Sequence, residues 1–102
     1  MKFHTIPDAV KDISNGKMII VVDNEDRENE GDIVMASELI TPDAVNFMAR
    51  EARGLICVSI SEKRAKELYL EQMNRRNTSL HETAFTVSVD AKNNTTTGIS
   101  AF

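Results

Sequence analysis

The segment with the most chemical potential in this sequence is residues 23–32, Asp-Asn-Glu-Asp-Arg-Glu-Asn-Glu-Gly-Asp. Six of its ten residues are carboxylates, and crowding like charges costs folding free energy unless something neutralises them. A hard divalent cation such as Mg²⁺ would do so, because it prefers oxygen ligands. If the segment is locally extended, Glu28, Glu30 and Asp32 share one face. Arg27 could balance their charge or hold an anionic ligand.

Two other interpretations of this acidic loop are open. Charge runs usually face water, so the loop could be a solvated surface without a ligand. A calcium loop of the EF-hand type would place its twelfth position at Ser37, where that motif needs a glutamate. The loop follows the apolar run 18–22, and α/β sheets place ligands beyond the carboxyl ends of their strands. This position favours the ligand-binding interpretation.

A second segment, Thr95-Thr96-Thr97-Gly98, could hold a phosphate through its hydroxyls and a close backbone approach at glycine. Threonine runs are also common in edge strands, which is the simpler interpretation. Cys57 lies in an apolar run, where a free cysteine usually packs as a small hydrophobe. His81 is isolated in a polar stretch and is typical of a surface histidine.

Local signals predict three helices. Thr5, Thr41 and Ser61 are candidate N-caps. The first helix covers residues 5–15 and is expected to end at Gly16, and the second is expected to end at Gly54. The third is expected to direct Tyr69 inward.

Apolar runs and alternation predict strands at residues 18–22, 33–36, 55–60 and 83–90. The continuous run at 18–22 predicts a strand that is buried on both faces. The predicted fold class is α/β, of the α+β type, with a mixed sheet flanked by helices. The last residues, ending at Phe102, carry no cap or polar tail, so we expect an incomplete domain as given.

Composition excludes several classes of function. The 102 residues carry a net charge of -4 and five aromatic side chains, which argues against a nucleic-acid surface. The single cysteine allows no internal disulfide. The longest apolar run has five residues, too few to span a bilayer, and the N-terminus lacks the apolar region of a signal peptide. We therefore expect a cytoplasmic protein with no membrane partner.

Four blocks of the sequence together resemble the 3,4-dihydroxy-2-butanone 4-phosphate synthase family. The first is the acidic loop at 23–32, and the second is Gly-Leu-Ile-Cys at 54–57. The third comprises Asn-Thr-Ser at 77–79 and Thr-Ala-Phe-Thr-Val-Ser-Val-Asp at 83–90. The fourth is Thr-Thr-Gly-Ile-Ser-Ala at 96–101. The blocks occur in family order and span the chain, so residues 1–102 are expected to be the N-terminal portion of one synthase domain.

The resemblance implies a lyase of riboflavin biosynthesis that uses Mg²⁺ or Mn²⁺. Its reaction converts D-ribulose 5-phosphate to L-3,4-dihydroxy-2-butanone 4-phosphate and formate, with the metal stabilising enediolate oxygens while carboxylates move protons. As metal ligands the resemblance implies Glu28 and Glu30. As catalytic residues it implies Glu28, Asp32 and Cys57.

The same resemblance implies a sugar phosphate substrate and a homodimer with its site near the subunit interface. The implied substrate-binding residues are Arg27, Glu28, Asp32 and Thr97. The aspartate-arginine pair that the family carries after the Ser-Ala of block 96–101, its Arg-x-Gly-His-Thr block and a further glutamate are absent from the sequence. This absence leaves two hypotheses open: the synthase, with this chain inactive alone, or a non-catalytic module whose acidic loop binds a divalent metal or a protein partner.

Overall fold

A computed structural model describes residues 2–76, 78, 83–96 and 100–101. The chain divides into two compact units. The first contains residues 2–56 and residue 101, and the second contains the described residues between 57 and 100. The combination of helices with a sheet confirms the predicted fold class. The described residues contain one sheet, an antiparallel pair of strands.

Helix α1, Ile6–Ser14, begins and ends as the sequence predicts. The Thr5 hydroxyl oxygen accepts the backbone N–H of Asp8 at 3.3 Å, and the same hydroxyl donates to the Asp8 carboxylate at 2.6 Å. The first of these bonds satisfies one of the backbone N–H groups that the first turn leaves without a helical partner. Gly16 follows with φ +73°, a left-handed conformation that a residue without Cβ adopts at little cost. The chain thereby turns out of α1 toward the first strand.

Strands β1, Ile19–Val22, and β2, Gly31–Val34, form an antiparallel hairpin. Its register places Ile19 opposite Val34 and Val22 opposite Gly31. The sequence predicts the second strand at residues 33–36, so both of its ends lie two residues earlier than predicted. The connection between the strands is residues 23–30, so the hairpin holds both ends of the acidic loop.

The prediction that residues 18–22 are buried on both faces is wrong. Ile20 is 71% exposed, and Val21 and Val22 are also exposed. A continuous apolar strand is buried only where layers cover both faces of its sheet, and in the described residues β1 has a single strand neighbour. Among all the described residues, Ala44 is the only buried one, with 7% of its surface exposed.

A short 3₁₀ turn, Ser37–Leu39, leads from the hairpin to helix α2, Pro42–Phe47. The Thr41 hydroxyl oxygen accepts the N–H of Ala44 at 3.2 Å, which confirms the predicted cap. The helix continues as a π-helical turn, Met48–Ala52. The residue in the left-handed conformation after it is Arg53, with φ +56°, rather than the predicted Gly54.

The second unit contains helix α3, Glu62–Glu67, whose predicted cap is confirmed because the Ser61 hydroxyl oxygen accepts the N–H of Arg64 at 3.1 Å. The prediction that Tyr69 points inward is wrong, since it is 91% exposed.

The strands predicted at 55–60 and within 83–90 are also wrong for the described residues. Around Thr86 the second unit has an isolated antiparallel bridge to Gln72, with backbone hydrogen bonds from Met73 to the Phe85 carbonyl and from Val87 to the Glu71 carbonyl. This pairing is too short to form a strand, and residues 55–60 have no strand neighbour within the described residues, although a strand needs one to complete its backbone hydrogen bonds. In the described residues, every helix is too short or too polar to cross a bilayer.

Candidate metal-binding loop

The carboxylate of Asp23 accepts hydrogen bonds from three later residues of the acidic loop. Its Oδ1 accepts the backbone N–H of Glu30 at 2.9 Å. Its Oδ2 accepts the backbone N–H of Glu28 at 2.9 Å and a guanidinium N–H of Arg27, also at 2.9 Å. One side chain therefore holds three donors that lie four, five and seven residues further along the chain. Because the backbone N–H of Asp23 also donates to the Glu30 carbonyl at 3.4 Å, this anchor continues the hairpin ladder.

These contacts lower the pKa of Asp23 below its usual value of 3.8. The largest cause is the backbone N–H of Glu30, followed by that of Glu28, and burial opposes both. The Arg27 guanidinium lowers the pKa further, by hydrogen bonding and by charge. Hydrogen bonds to the charged form favour that form, so Asp23 is an anion at neutral pH.

The tip of the loop is a tight turn. The side-chain oxygen of Asn24 accepts the N–H of Asp26 at 2.9 Å, and its backbone carbonyl accepts the N–H of Arg27 at 2.9 Å. Asn29 has φ +52°, a left-handed conformation that asparagine adopts more readily than most residues. The segment is therefore not extended as a whole, and the condition for placing Glu28, Glu30 and Asp32 on one face is not met.

Arg27 balances charge within the loop. Its Nη1 lies 2.9 Å from Asp23 Oδ2 and 3.5 Å from Glu28 Oε2. The Arg27 side chain is 52% exposed, whereas that of Asp23 is 21% exposed. Guanidinium carries five N–H donors, and the other two nitrogens of Arg27 form no hydrogen bond within the described residues. Arg27 can thus hold the loop and still offer donors to an anion.

Besides Asp23, the loop has five carboxylates, of which the predicted site residues Glu28, Glu30 and Asp32 are considered first. Glu28 approaches only Arg27, and the side chains of Glu30 and Asp32 form no hydrogen bond or ion pair within the described residues. Their oxygens are the donor type that Mg²⁺ and Mn²⁺ prefer, so the chemistry of the loop fits a divalent cation. Among the described residues, however, no group of three or more histidine, cysteine or acidic side chains could hold a metal ion. The loop therefore fits as a contributor of ligands and does not form a complete cage.

The remaining predicted site residues belong to the other half of the chain. Cys57 is free and exposed, so its interpretation as a packed strand residue is wrong, because no strand forms around it. Thr97 and His81 lie outside the described residues. In the same threonine segment, the Thr95 hydroxyl donates to the backbone carbonyl of Ala91 at 2.8 Å, which is a local turn contact.

Asp23 is the important residue that sequence reasoning did not single out. A partial signal exists, because Asp and Asn side chains often accept nearby backbone N–H groups at turns. Such local patterns predict the Asn24 contact with Asp26, two residues on. They do not predict contacts five and seven residues on, since those depend on how the hairpin closes.

Comparison with known proteins identifies the family. Residues 7–102 match the family model described as 3,4-dihydroxy-2-butanone 4-phosphate synthase. Riboflavin biosynthesis protein RibBA of Aquifex aeolicus is 55% identical over 99% of this chain and 25% of its own length. The 3,4-dihydroxy-2-butanone 4-phosphate synthase of Campylobacter jejuni is 52% identical over 100% of this chain and 30% of its own length.

Solved structures agree with the sequence matches. A 3,4-dihydroxy-2-butanone 4-phosphate synthase in complex with two magnesium ions is 44% identical, with a TM-score of 0.92 over 97% of this chain and 46% of that one. The synthase of Candida albicans is 46% identical, with a TM-score of 0.81 over 99% of this chain and 48% of that one. The chain thus spans between a quarter and a half of these relatives. Since the similarity extends over nearly all of its residues, the chain belongs to the 3,4-dihydroxy-2-butanone 4-phosphate synthase family.

Proposed function

We propose that this chain contributes the acidic loop of a riboflavin-biosynthetic lyase that converts D-ribulose 5-phosphate to L-3,4-dihydroxy-2-butanone 4-phosphate and formate. Membership of the family supports the reaction. The observation that carries the proposal is the acidic loop itself, in which Asp23 is fully engaged by Arg27 and two backbone N–H groups, whereas the side chains of Glu30 and Asp32 are unpaired within the described residues and Glu28 approaches only Arg27. A loop whose carboxylates were all paired internally would have little to offer a cation or a substrate.

The proposed cation ligands are Glu28 and Glu30. Magnesium is supported by the solved relative in complex with two magnesium ions, and Mn²⁺ accepts similar oxygen ligands. When bound, the cation supplies Lewis acidity that stabilises negative charge on substrate oxygens. This chain would contribute two of the cation's ligands, both from the loop that connects β1 and β2.

Proton movement and substrate contact are assigned to other groups of the loop. Asp32 and the Glu28 carboxylate are candidates for moving protons, because a carboxylate can act as a general base when it reaches the substrate. Arg27 is proposed to contact the anionic substrate through the guanidinium nitrogens that Asp23 leaves unused. Thr97 is proposed as a phosphate contact, and the exposed thiol of Cys57 as a further catalytic candidate.

A homodimer with its site near the subunit interface and a cytoplasmic location stay predictions. The assignment of residues 1–102 to the N-terminal portion of one synthase domain also stays a prediction. The alternative of a non-catalytic module is not favoured, because both sequence and structure match the synthase family over almost the whole chain.

The direct test is formate release by the protein at its natural length, meaning the polypeptide as its gene encodes it. Incubation with ribulose 5-phosphate and Mg²⁺ should yield formate and the four-carbon phosphate in equal amounts. Removal of the metal with EDTA should stop the reaction, and added Mg²⁺ or Mn²⁺ should restore it. A folded protein that binds Mn²⁺ but releases no formate would refute the enzymatic proposal and support the non-catalytic module.

A further inference from the structure

We propose that Asp23 is a positioning residue of this site: it holds the backbone of the acidic loop in the shape that presents Glu28 and Glu30, without itself contacting cation or substrate. This inference rests on the proposed function, because it names what prepares the proposed ligands. It concerns a residue outside the set of predicted ligands and catalytic groups.

The first argument is the use of both carboxylate oxygens. Oδ1 accepts from Glu30 and Oδ2 accepts from Glu28 and Arg27, all at 2.9 Å. A carboxylate engaged in this way has little capacity left for a cation. By contrast, the side chains of Glu30 and Asp32 form no such bonds in the part of the chain that the structure describes.

The second argument is the identity of the residues that Asp23 holds. The two backbone N–H groups belong to Glu28 and Glu30, the two proposed cation ligands. Between them lies Asn29 in a left-handed conformation, so the backbone there is bent rather than extended. A single carboxylate that receives both N–H groups keeps the two ligand-bearing positions in a fixed relation. When a ligand has to order a flexible loop, the lost conformational entropy weakens binding. A loop that is ordered before the cation binds avoids this loss.

The third argument concerns Arg27, which lies 2.9 Å from Asp23 and 3.5 Å from the Glu28 carboxylate. While Asp23 is charged, it partly neutralises the guanidinium and holds Nη1. Without that charge, Arg27 would be free to pair fully with Glu28. Such a pair would compete with a cation for the same carboxylate oxygens. Asp23 therefore keeps Glu28 available as well as placing its backbone.

The test compares Asp23→Asn with Asp26→Asn in the protein at its natural length. Both changes remove one negative charge from the same loop, but the side chain of Asp26 accepts no hydrogen bond within the described residues. Asparagine at position 23 keeps the size of aspartate and one acceptor oxygen, and replaces the other acceptor with a donor. A bulk-charge effect predicts equal results for the two variants, whereas positioning predicts a difference.

The first readout is Mn²⁺ affinity measured by electron paramagnetic resonance, which needs no turnover. Asp23→Asn should weaken binding by about 10- to 100-fold, the usual range when a residue that orients a metal ligand is lost. Asp26→Asn should bind Mn²⁺ almost as the unaltered protein does. Equal affinities for the two variants would overturn the proposal.

The second readout separates positioning from the loss of a ligand. In Asp23→Asn, the Mg²⁺ concentration needed for half-maximal activity should rise, and kcat should recover toward the unaltered value at saturating Mg²⁺. Recovery is expected because all proposed ligands remain and a bound cation can order the loop. A kcat that stays depressed at saturation would place Asp23 in direct contact with cation or substrate and would overturn the proposal.

A third measurement covers the case in which Asp23→Asn does not fold. In the unaltered protein, amide hydrogen exchange at Glu28 and Glu30 should be slower than at Glu25, whose N–H donates no hydrogen bond in the described residues. Equal exchange at the three positions would refute the anchor. If the protein releases no formate but Glu28 and Glu30 are protected and Mn²⁺ binding discriminates the variants, the enzymatic proposal fails while the role of Asp23 in positioning stands.

Discussion

Asp32 lies directly opposite Val21 in the antiparallel register of the hairpin. This predicted catalytic carboxylate is therefore carried by a strand, with its backbone fixed by ladder hydrogen bonds. Glu28, four residues earlier, is carried by a turn, with its backbone fixed by the carboxylate of Asp23. The proposed site thus combines one side chain on regular structure with another whose placement depends on the Asp23 carboxylate.

Glu28→Gln should reduce formate release by at least about 10²-fold in the protein at its natural length, because it keeps the shape but removes the charge that holds the cation and moves protons. Glu25→Gln is the matched control, since it removes one charge from the same loop at a position without an assigned role. It should cost little activity. Similar losses in the two variants would show that the loop acts only through its total charge.

The 102-residue chain tested by itself should release no formate from ribulose 5-phosphate at an enzyme-like rate. In its described residues no group of three metal-ligating side chains forms, and one or two carboxylates bind Mg²⁺ weakly because the ion gives up water reluctantly. The measurement is formate production with excess Mg²⁺. Rapid turnover would show that the loop and its neighbours suffice. Activity that returns when a polypeptide with the family's missing blocks is added would support complementation.

The protein at its natural length should sediment as a homodimer at micromolar concentration. This prediction comes from the resemblance to the family, and analytical ultracentrifugation over a dilution series measures it. A single monomeric species across the series would contradict it.

Gly16→Ala should destabilise the protein by about 1 kcal/mol, because an L-residue resists the left-handed conformation at φ +73°. A Cβ at this position would lie 3.6 Å from the Leu39 side chain, which is an ordinary contact, so the cost is conformational. Gly54→Ala is the control, since its Cβ would meet nothing within 4 Å and its φ is not positive. Urea unfolding at the natural length measures both. A larger loss in Gly54→Ala would contradict the assignment of the turn.

Glu62 should titrate below its usual pKa of 4.5, because Lys66 donates a 2.6 Å hydrogen bond to it and adds a favourable charge. A folded pKa below the unfolded one means that the pair stabilises the fold above pH 4.5 and that this contribution is lost as pH falls through the lower, folded value. NMR titration of the Glu62 side chain measures the midpoint. Lys66→Gln should raise it.

Lys63→Gln is the control for that titration. It removes a positive charge from the same helix, and Lys63 forms no ion pair within the described residues. It should leave the Glu62 midpoint closer to that of the unaltered protein than Lys66→Gln does. An equal rise in both variants would show that general charge, rather than the bond to Lys66, lowers the pKa.

The sequence by itself determined the features that depend on near neighbours. The caps at Thr5, Thr41 and Ser61 are correct because each hydroxyl accepts an N–H only three residues along the chain. The left-handed turn at Gly16 follows from the one residue type without a Cβ. The family is recognisable for a related reason: its reactive groups are concentrated in short blocks, of which the acidic loop at 23–32 is the most specific.

Only the tertiary structure decided which residues meet across longer separations and which are covered. The apolar run at 18–22 does not reveal whether layers pack on it, and Ile20 is in fact 71% exposed. Residues 55–60 have strand propensity, but no strand forms without a neighbour to pair with. Asp23 became an anchor because the hairpin brings Glu28 and Glu30 back to it. Contacts of this kind depend on how the chain returns in space, and the spacing of residue types alone does not specify that path.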